Sequence, residues 1–186
     1  VKELARKMSD PSETDWTALK RLGRYLIGNS RFRQKFGYQG DNGEITVWTD
    51  TDYAGCLRTR KSTSGGIIQL GSHSIKGWST TQSVIALSSG EAEYYGMVRG
   101  AAIGLGVKAV MDDLGTSGRI RIKTDASAAY GIAHRTGLGK VRHLETCQLW
   151  LQQKVGNKDI EIEKVKGEDN LADALTKHLA ADDLQR

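Results

Sequence analysis

Scarcity narrows the possibilities first. A single proline in 186 residues leaves no polyproline or low-complexity tract. Two cysteines, Cys56 and Cys147, lack both the density of a disulfide scaffold and the spacing of a metal-binding motif, so two free thiols are expected. No apolar run approaches the ~20 residues that cross a bilayer as a helix. No signal-peptide pattern opens the chain, and Val1 in place of Met is expected to mark a fragment or a processed piece. An intracellular protein without a membrane role is the expectation. What remains has an ordinary globular composition, 38% hydrophobic and 26% charged, with length for one domain plus an appendage. The net charge of +5 is a mild pull toward a polyanionic partner.

The first 40 residues stand apart. Lys20, Arg21, Arg24, Arg31, Arg33 and Lys35 fall in a window without an acidic residue. Asp10-Pro11-Ser12-Glu13 predicts a helix start with Asp10 as cap. Trp16, Leu19, Leu22 and Leu26 then recur at helical spacing, and Gly28 is placed to close the helix. The basic residues outside that stripe are either a solvated face or a surface that tracks phosphates. Gly37 to Gly43, with Asp41-Asn42-Gly43, is the predicted linker.

Beyond it the pattern changes to strands. Glu44 to Asp50 is the first, Ser64 to Leu70 the second and Ser74 to Trp78 the third, the last two forming a hairpin around Gly71-Ser72-His73. Between the first two runs the basic, hydroxyl-rich loop Arg58-Thr59-Arg60-Lys61-Ser62-Thr63. A helix is predicted over about 88–114, then a strand over 119–124 whose alternate residues Arg119, Arg121 and Lys123 are unexpectedly basic. A short helix from Ser127, a helix over about 142–155, a strand over 160–165 and a last helix from Asn170 complete the order. The class is α/β: a mixed sheet with helices on its faces.

Acidic residues stand at telling places. Asp50 and Asp52 share one face of the first strand, and both stay open as ligands. Glu91 and Glu93 lie about 200° apart on their helix, so only one faces a site. Glu93 shares its face with Gly96, Met97, Gly100, Ala101 and Gly104, small residues that let a helix lie close on a sheet. Glu91 is expected to face outward as a helix-start carboxylate. Asp125 ends a strand and precedes a helix, the usual ligand position in open α/β sheets. Asp173 falls in a first turn capped by Asp169 or Asn170. Each alone has a structural explanation. Together they make a set of hard oxygen ligands suited to Mg²⁺ or Mn²⁺, and two such ions can drive phosphodiester cleavage.

At this point the residues resemble a known family. Thr49-Asp50-Thr51-Asp52-Tyr53-Ala54-Gly55, Thr59-Arg60-Lys61-Ser62-Thr63-Ser64-Gly65 and Ala86-Leu87-Ser88-Ser89-Gly90-Glu91-Ala92-Glu93-Tyr94 are similar to the ribonuclease H domain of copia-type retrotransposon Pol polyproteins. Thr124-Asp125-Ala126-Ser127-Ala128 and Leu171-Ala172-Asp173-Ala174-Leu175-Thr176-Lys177 extend the match. Ala5 to Pro11 and Trp16 to Arg21 resemble the reverse-transcriptase tail that precedes it. The resemblance implies a ribonuclease H-like mixed five-stranded sheet over 41–186 and a helical reverse-transcriptase tail over 1–40. It implies a metal-dependent endoribonuclease that cuts the RNA strand of RNA–DNA hybrids with two Mg²⁺ ions, Mn²⁺ being an alternative. The ligands it implies are Asp50, Glu93, Asp125 and Asp173, which favours Asp50 over Asp52. Substrate contacts are assigned to Arg60, Lys61, Ser62, Thr63, Ser127 and Arg142. The implied partners are the hybrid and the polymerase of the same polyprotein, in the cytoplasm and within virus-like particles if the element is active.

There are departures. Cys56 replaces a usual acidic residue, and Thr80-Thr81 a usual basic pair. Val165-Lys166-Gly167-Glu168-Asp169 carries no histidine ahead of the last aspartate, which leaves His143 and His178 as weak substitutes. Two other readings share this sheet and acidic set. One is a non-catalytic hybrid-binding or domesticated remnant, the other an integrase-like strand-transfer enzyme.

Overall fold

Ser12 rather than Asp10 starts the long N-terminal helix. The computed structural model describes residues 1–31, 33–40, 43–139, 141 and 143–177. A short helix, α1 (Lys2–Ala5), precedes α2 (Glu13–Gly28). Ser12 Oγ accepts the Asp15 N–H at 3.3 Å, and Asp15 Oδ2 accepts the Ser12 N–H at 3.0 Å. That reciprocal box satisfies two end donors at once and leaves Pro11 outside the helix. Gly28 is the last helical residue, with Asn29 as the cap. The predicted stripe is not a buried one: Trp16 is 51% exposed and Leu26 57%, and α2 contributes no buried residue. These elements belong to a unit of their own, Val1–Tyr38; the second unit is Gln39–Arg186.

In the second unit, β1 (Glu44–Asp52), β2 (Thr63–Leu70) and β3 (His73–Thr81) form an antiparallel meander. After helix α3 (Ser89–Asp113), strand β4 (Arg119–Thr124) returns parallel to β1. Helices α4 (Ser127–Ala133) and α5 (Trp150–Gly156) lead to β5 (Ile160–Lys164), parallel to β4. The order across the sheet is β3-β2-β1-β4-β5, the mixed five-stranded sheet flanked by helices that was expected. Leu70 pairs with His73, so the hairpin turns on Gly71-Ser72, and Gly71 takes the positive φ of 57° such a two-residue turn requires. Gln39 clasps this turn: its Oε1 accepts the Ser72 N–H at 2.8 Å, and its Nε2 donates to the Leu70 carbonyl at 2.8 Å. Of the predicted linker, Asp41 and Asn42 lie outside the described residues.

The core lies between α3 and one sheet face. Tyr94, Met97 and Ala101 are fully buried against Ile45, Val47, Ile68, Ile120 and Ile122. The helix approaches closely because glycine faces the strands. A Cβ on Gly100 would stand 2.7 Å from Thr49 Cγ2 and 3.1 Å from Val47 Cγ1.

The opposite face explains the basic alternation of β4. Arg121 reaches Glu44 at 3.3 Å, Glu161 at 3.4 Å and Glu163 at 3.8 Å. The Lys123 ammonium sits 4.7 Å from the centroid of the Trp48 ring. This half of the sheet is covered by a charge ladder running across three strands, so β4 need not be apolar on both sides.

Two helices differ from expectation. Over the predicted 142–155 span, a 3₁₀ turn (Thr146–Gln148) comes first and α5 begins only at Trp150. The residues before it are used otherwise: Leu144 is 4% exposed in the core, and His143 reaches Glu91. The last element among the described residues is a 3₁₀ turn, Leu171–Leu175, capped by Asn170, whose Oδ1 accepts the Ala172 N–H at 3.2 Å.

Candidate metal centre

Three acidic side chains converge where the sheet, the β4–α4 turn and the last 3₁₀ turn meet. Ligand oxygens of Asp50, Asp125 and Asp173 all lie within 4.8 Å of one another. Asp50 is on the β1 face away from α3 and is 2% exposed. Neighbouring Gly65 of β2 leaves room there for the 3₁₀ turn, since a Cβ would come within 2.7 Å of Thr176. Asn170 holds the parts together. Its Nδ2 donates to the Thr49 carbonyl at 3.0 Å and lies 3.5 Å from Asp125 Oδ1.

Glu93 stands beside this trio on the first turns of α3. It is not in the 4.8 Å cluster, but the charges of Asp50 and Asp125 reach it. Burial, then the charges of Asp50 and Asp125, push its carboxyl up to about 8, against the Thr51 N–H and Lys177. Its Oε2 is buried with no hydrogen-bond partner. Burial, with Asp50 and Asp125, also raises Asp173 despite its hydrogen bond from Lys177. Lys177 Nζ lies 3.0 Å from Asp173 Oδ1 and 3.5 Å from Asp50 Oδ1, and the Thr176 hydroxyl donates to Asp50 Oδ2. Burial opposes the Lys177 charge, yet the three aspartates outweigh it and raise its pKa.

These observations fit a divalent cation. The donors are all carboxylate oxygens, an orphaned buried oxygen sits beside them, and an ammonium already bridges two of them. Asp50, Asp125 and Asp173 would hold the ion, with Glu93 adjacent.

No protein-family model matches the chain. It is 26% identical over 176 residues, 94% of its length, to the retrovirus-related Pol polyprotein from transposon TNT 1-94 of Nicotiana tabacum. It is 28% identical over 183 residues, 97% of its length, to that from transposon RE2 of Arabidopsis thaliana. Both of these relatives are retrovirus-related Pol polyproteins of transposons. The chain spans 13% and 12% of the length of these two. Among solved structures it is similar to LC11-RNase H1, isolated from compost by a metagenomic approach, with 16% identity and a TM-score of 0.49. That match covers 72% of this chain and 92% of the other.

The other residues singled out in the sequence are disposed as follows. Asp52 is outside the cluster; its carboxylate lies over Gly55, in the space a Cβ there would fill. Arg60 is exposed at the tip of its loop with a positive φ of 56°, its N–H donating to the Cys56 carbonyl at 2.7 Å. Lys61 donates to the Ser83 carbonyl. Ser62 and Thr63, expected to meet substrate, are instead 1% and 5% exposed. The Ser62 hydroxyl accepts the Ala54 N–H at 3.0 Å, so it shapes the loop from inside. Ser127 is exposed, two residues past Asp125. Arg142 and His178 lie outside the described residues.

Glu91 corrects the sequence expectation. It is 2% exposed, not outward-facing, because the loops before α3 and before α5 cover that side of the helix. It accepts the Leu87 N–H at 2.8 Å, the Tyr95 hydroxyl at 2.8 Å and His143 Nε2 at 2.7 Å. Burial works against its charge, but these hydrogen bonds together hold its pKa below the ordinary value.

The position of Glu93 makes a pH prediction for the metal-free protein. Its ordinary value is 4.5 and its folded value about 8. Above 4.5 the unfolded chain has released a proton that the folded one keeps, so stability falls as pH rises toward 8 and then levels. Glu93→Gln is therefore expected to melt above the parent at pH 8 in EDTA, with the gap closing below 4.5. A gap that persists in acid would trace the effect to packing.

Proposed function

We propose that this chain is a ribonuclease H-type nuclease that hydrolyses the RNA strand of RNA–DNA hybrids using divalent cations. The observation that carries the reading is the convergence of Asp50, Asp125 and Asp173 within 4.8 Å, with Glu93 alongside. Four carboxylates so close are costly unless cations neutralise them. When bound, two Mg²⁺ ions supply activation of the attacking water and stabilisation of the leaving oxygen. Asp50, fixed in a strand and 2% exposed, is the ligand best held in place. Glu93, Asp125 and Asp173 complete the donor set from three other elements, and Asn170 orients Asp125. Exposed Arg58 and Arg60 are available to the phosphate backbone, and Ser127 stands next to the acidic site. Contacts to 2′-hydroxyls would distinguish the RNA strand.

The likeness to Pol polyproteins supports a role in reverse transcription, with residues 1–40 as the tail of an adjoining polymerase. Activity within cytoplasmic virus-like particles follows from that reading. A labelled RNA–DNA hybrid, a DNA duplex and an RNA duplex, each incubated with Mg²⁺, Mn²⁺ or EDTA, test the proposal. Cleavage of RNA in the hybrid alone, abolished by EDTA, is expected. Hybrid binding without cleavage would instead identify a non-catalytic remnant, and processing of DNA ends a strand-transfer enzyme.

A further inference from the structure

The acidic cluster contains a cation of its own. Lys177 Nζ lies 3.0 Å from Asp173 Oδ1 and 3.5 Å from Asp50 Oδ1. We propose that the Lys177 ammonium is a built-in counter-ion that occupies the cation position of this cluster, so that a divalent ion enters by displacing it and Lys177 sets the metal affinity. The inference rests on the metal-site reading above and deepens it.

This is not an ordinary surface ion pair. Such pairs contribute little because both partners are hydrated, whereas the Asp50 side chain is 2% exposed. Both Asp50 oxygens are engaged by consecutive residues, Oδ2 by the Thr176 hydroxyl and Oδ1 by Lys177. The backbone fixes this arrangement: the Lys177 N–H donates to the Asp173 carbonyl at 2.9 Å, one turn back, so the two side chains stay side by side. The ammonium bridges only two of the clustered aspartates, and Glu93 Oε2 stays buried without a hydrogen-bond partner. A single positive charge therefore neutralises the cluster in part, and a divalent ion neutralises it further. Displacement needs no backbone movement. The Lys177 side chain is 45% exposed, and its flexible stem can carry the ammonium into solvent.

The test measures metal binding without nucleic acid. Mn²⁺ is titrated calorimetrically into the full chain, its Lys177→Met variant and its Lys177→Arg variant. Lys177→Met is expected to bind Mn²⁺ about tenfold more tightly, because the competitor is gone. Its melting temperature in EDTA should fall by roughly 2–4 °C, since the carboxylates have lost their counter-ion, and recover in saturating Mn²⁺. Lys177→Arg keeps the charge and should bind no more tightly than the parent. An Mn²⁺ affinity that is unchanged or weaker in Lys177→Met overturns the inference while leaving the metal site standing. If neither the parent nor Lys177→Met binds Mn²⁺, the metal-site reading itself falls and takes this inference with it. A measurement on the parent alone covers a variant that fails to fold. The Lys177 side-chain methylene resonances should shift with Mg²⁺ at the midpoint of Mg²⁺ binding, and resonances that stay in place overturn the displacement.

Discussion

Asp50→Asn is expected to lower the rate of hybrid cleavage by about 10³-fold or more while leaving the fold intact. The magnitude follows from the chemistry: cation stabilisation of a phosphoryl centre contributes several kcal/mol, and each 1.36 kcal/mol is about tenfold in rate. Asparagine has the same shape and can still accept the Thr176 hydroxyl, so the close packing of the last 3₁₀ turn on β1 and β2 survives. What it removes is the charge of the most enclosed ligand in the cluster. Two measurements decide the matter together. Cleavage rates on a labelled hybrid give the loss, and a circular-dichroism melt in EDTA shows that the sheet persists. Full activity with a normal melt would sink the assignment of Asp50 as a ligand.

Tyr94→Ala is expected to cost about 3–5 kcal/mol of stability, a large part of the 5–15 kcal/mol typical of a whole domain. Tyr94 is fully buried at the centre of the core, and its hydroxyl donates to the Gln148 carbonyl at 2.9 Å. The ring fills the space between α3 and the segment leading to α5, while the hydroxyl ties that segment down. Tyr94→Phe separates the two contributions. It keeps the ring and leaves the Gln148 carbonyl without this donor, at a cost of about 1–3 kcal/mol. Urea midpoints for the three proteins check the order: parent, then Phe, then Ala. If Phe unfolds as easily as Ala, the hydrogen bond rather than the ring anchors the helix. Glu93 is the residue before Tyr94, so a loosened α3 also loosens the acidic site.

What the sequence disclosed, and what it withheld, divides by distance along the chain. The strands were legible because β1, β2 and β4 alternate with period two or run into glycine turns. Glu93 was legible as the sheet-facing acid because Gly96, Gly100 and Gly104 mark the side of α3 that lies close. Asp50 and Asp52 were not separable from residue types, since both share a strand face. A tertiary difference separates them: Asp50 meets Thr176 and Lys177, while Asp52 turns back over Gly55. Glu91 was misread because its partner His143 lies 52 residues away, and no helical pattern reveals a covering loop. The basic alternation of β4 had no account until β5 supplied Glu161 and Glu163. Lys177 had a local signal, four residues past Asp173, but its reach to Asp50 spans 127 positions.

That reach has a consequence for the order in which the molecule can be made. The five strands are complete by Lys164, yet Asn170, Asp173, Thr176 and Lys177 are still to come. Asn170 closes onto Thr49 across 121 residues, and Thr176 onto Asp50 across 126. Contacts between such distant positions form late, because loop closure precedes any gain from them. A nascent chain that stalls before Asn170 therefore carries the whole sheet and still lacks Asp173. The acidic cluster stays incomplete until residues 170–177 have been made, a delay enforced by chain order alone.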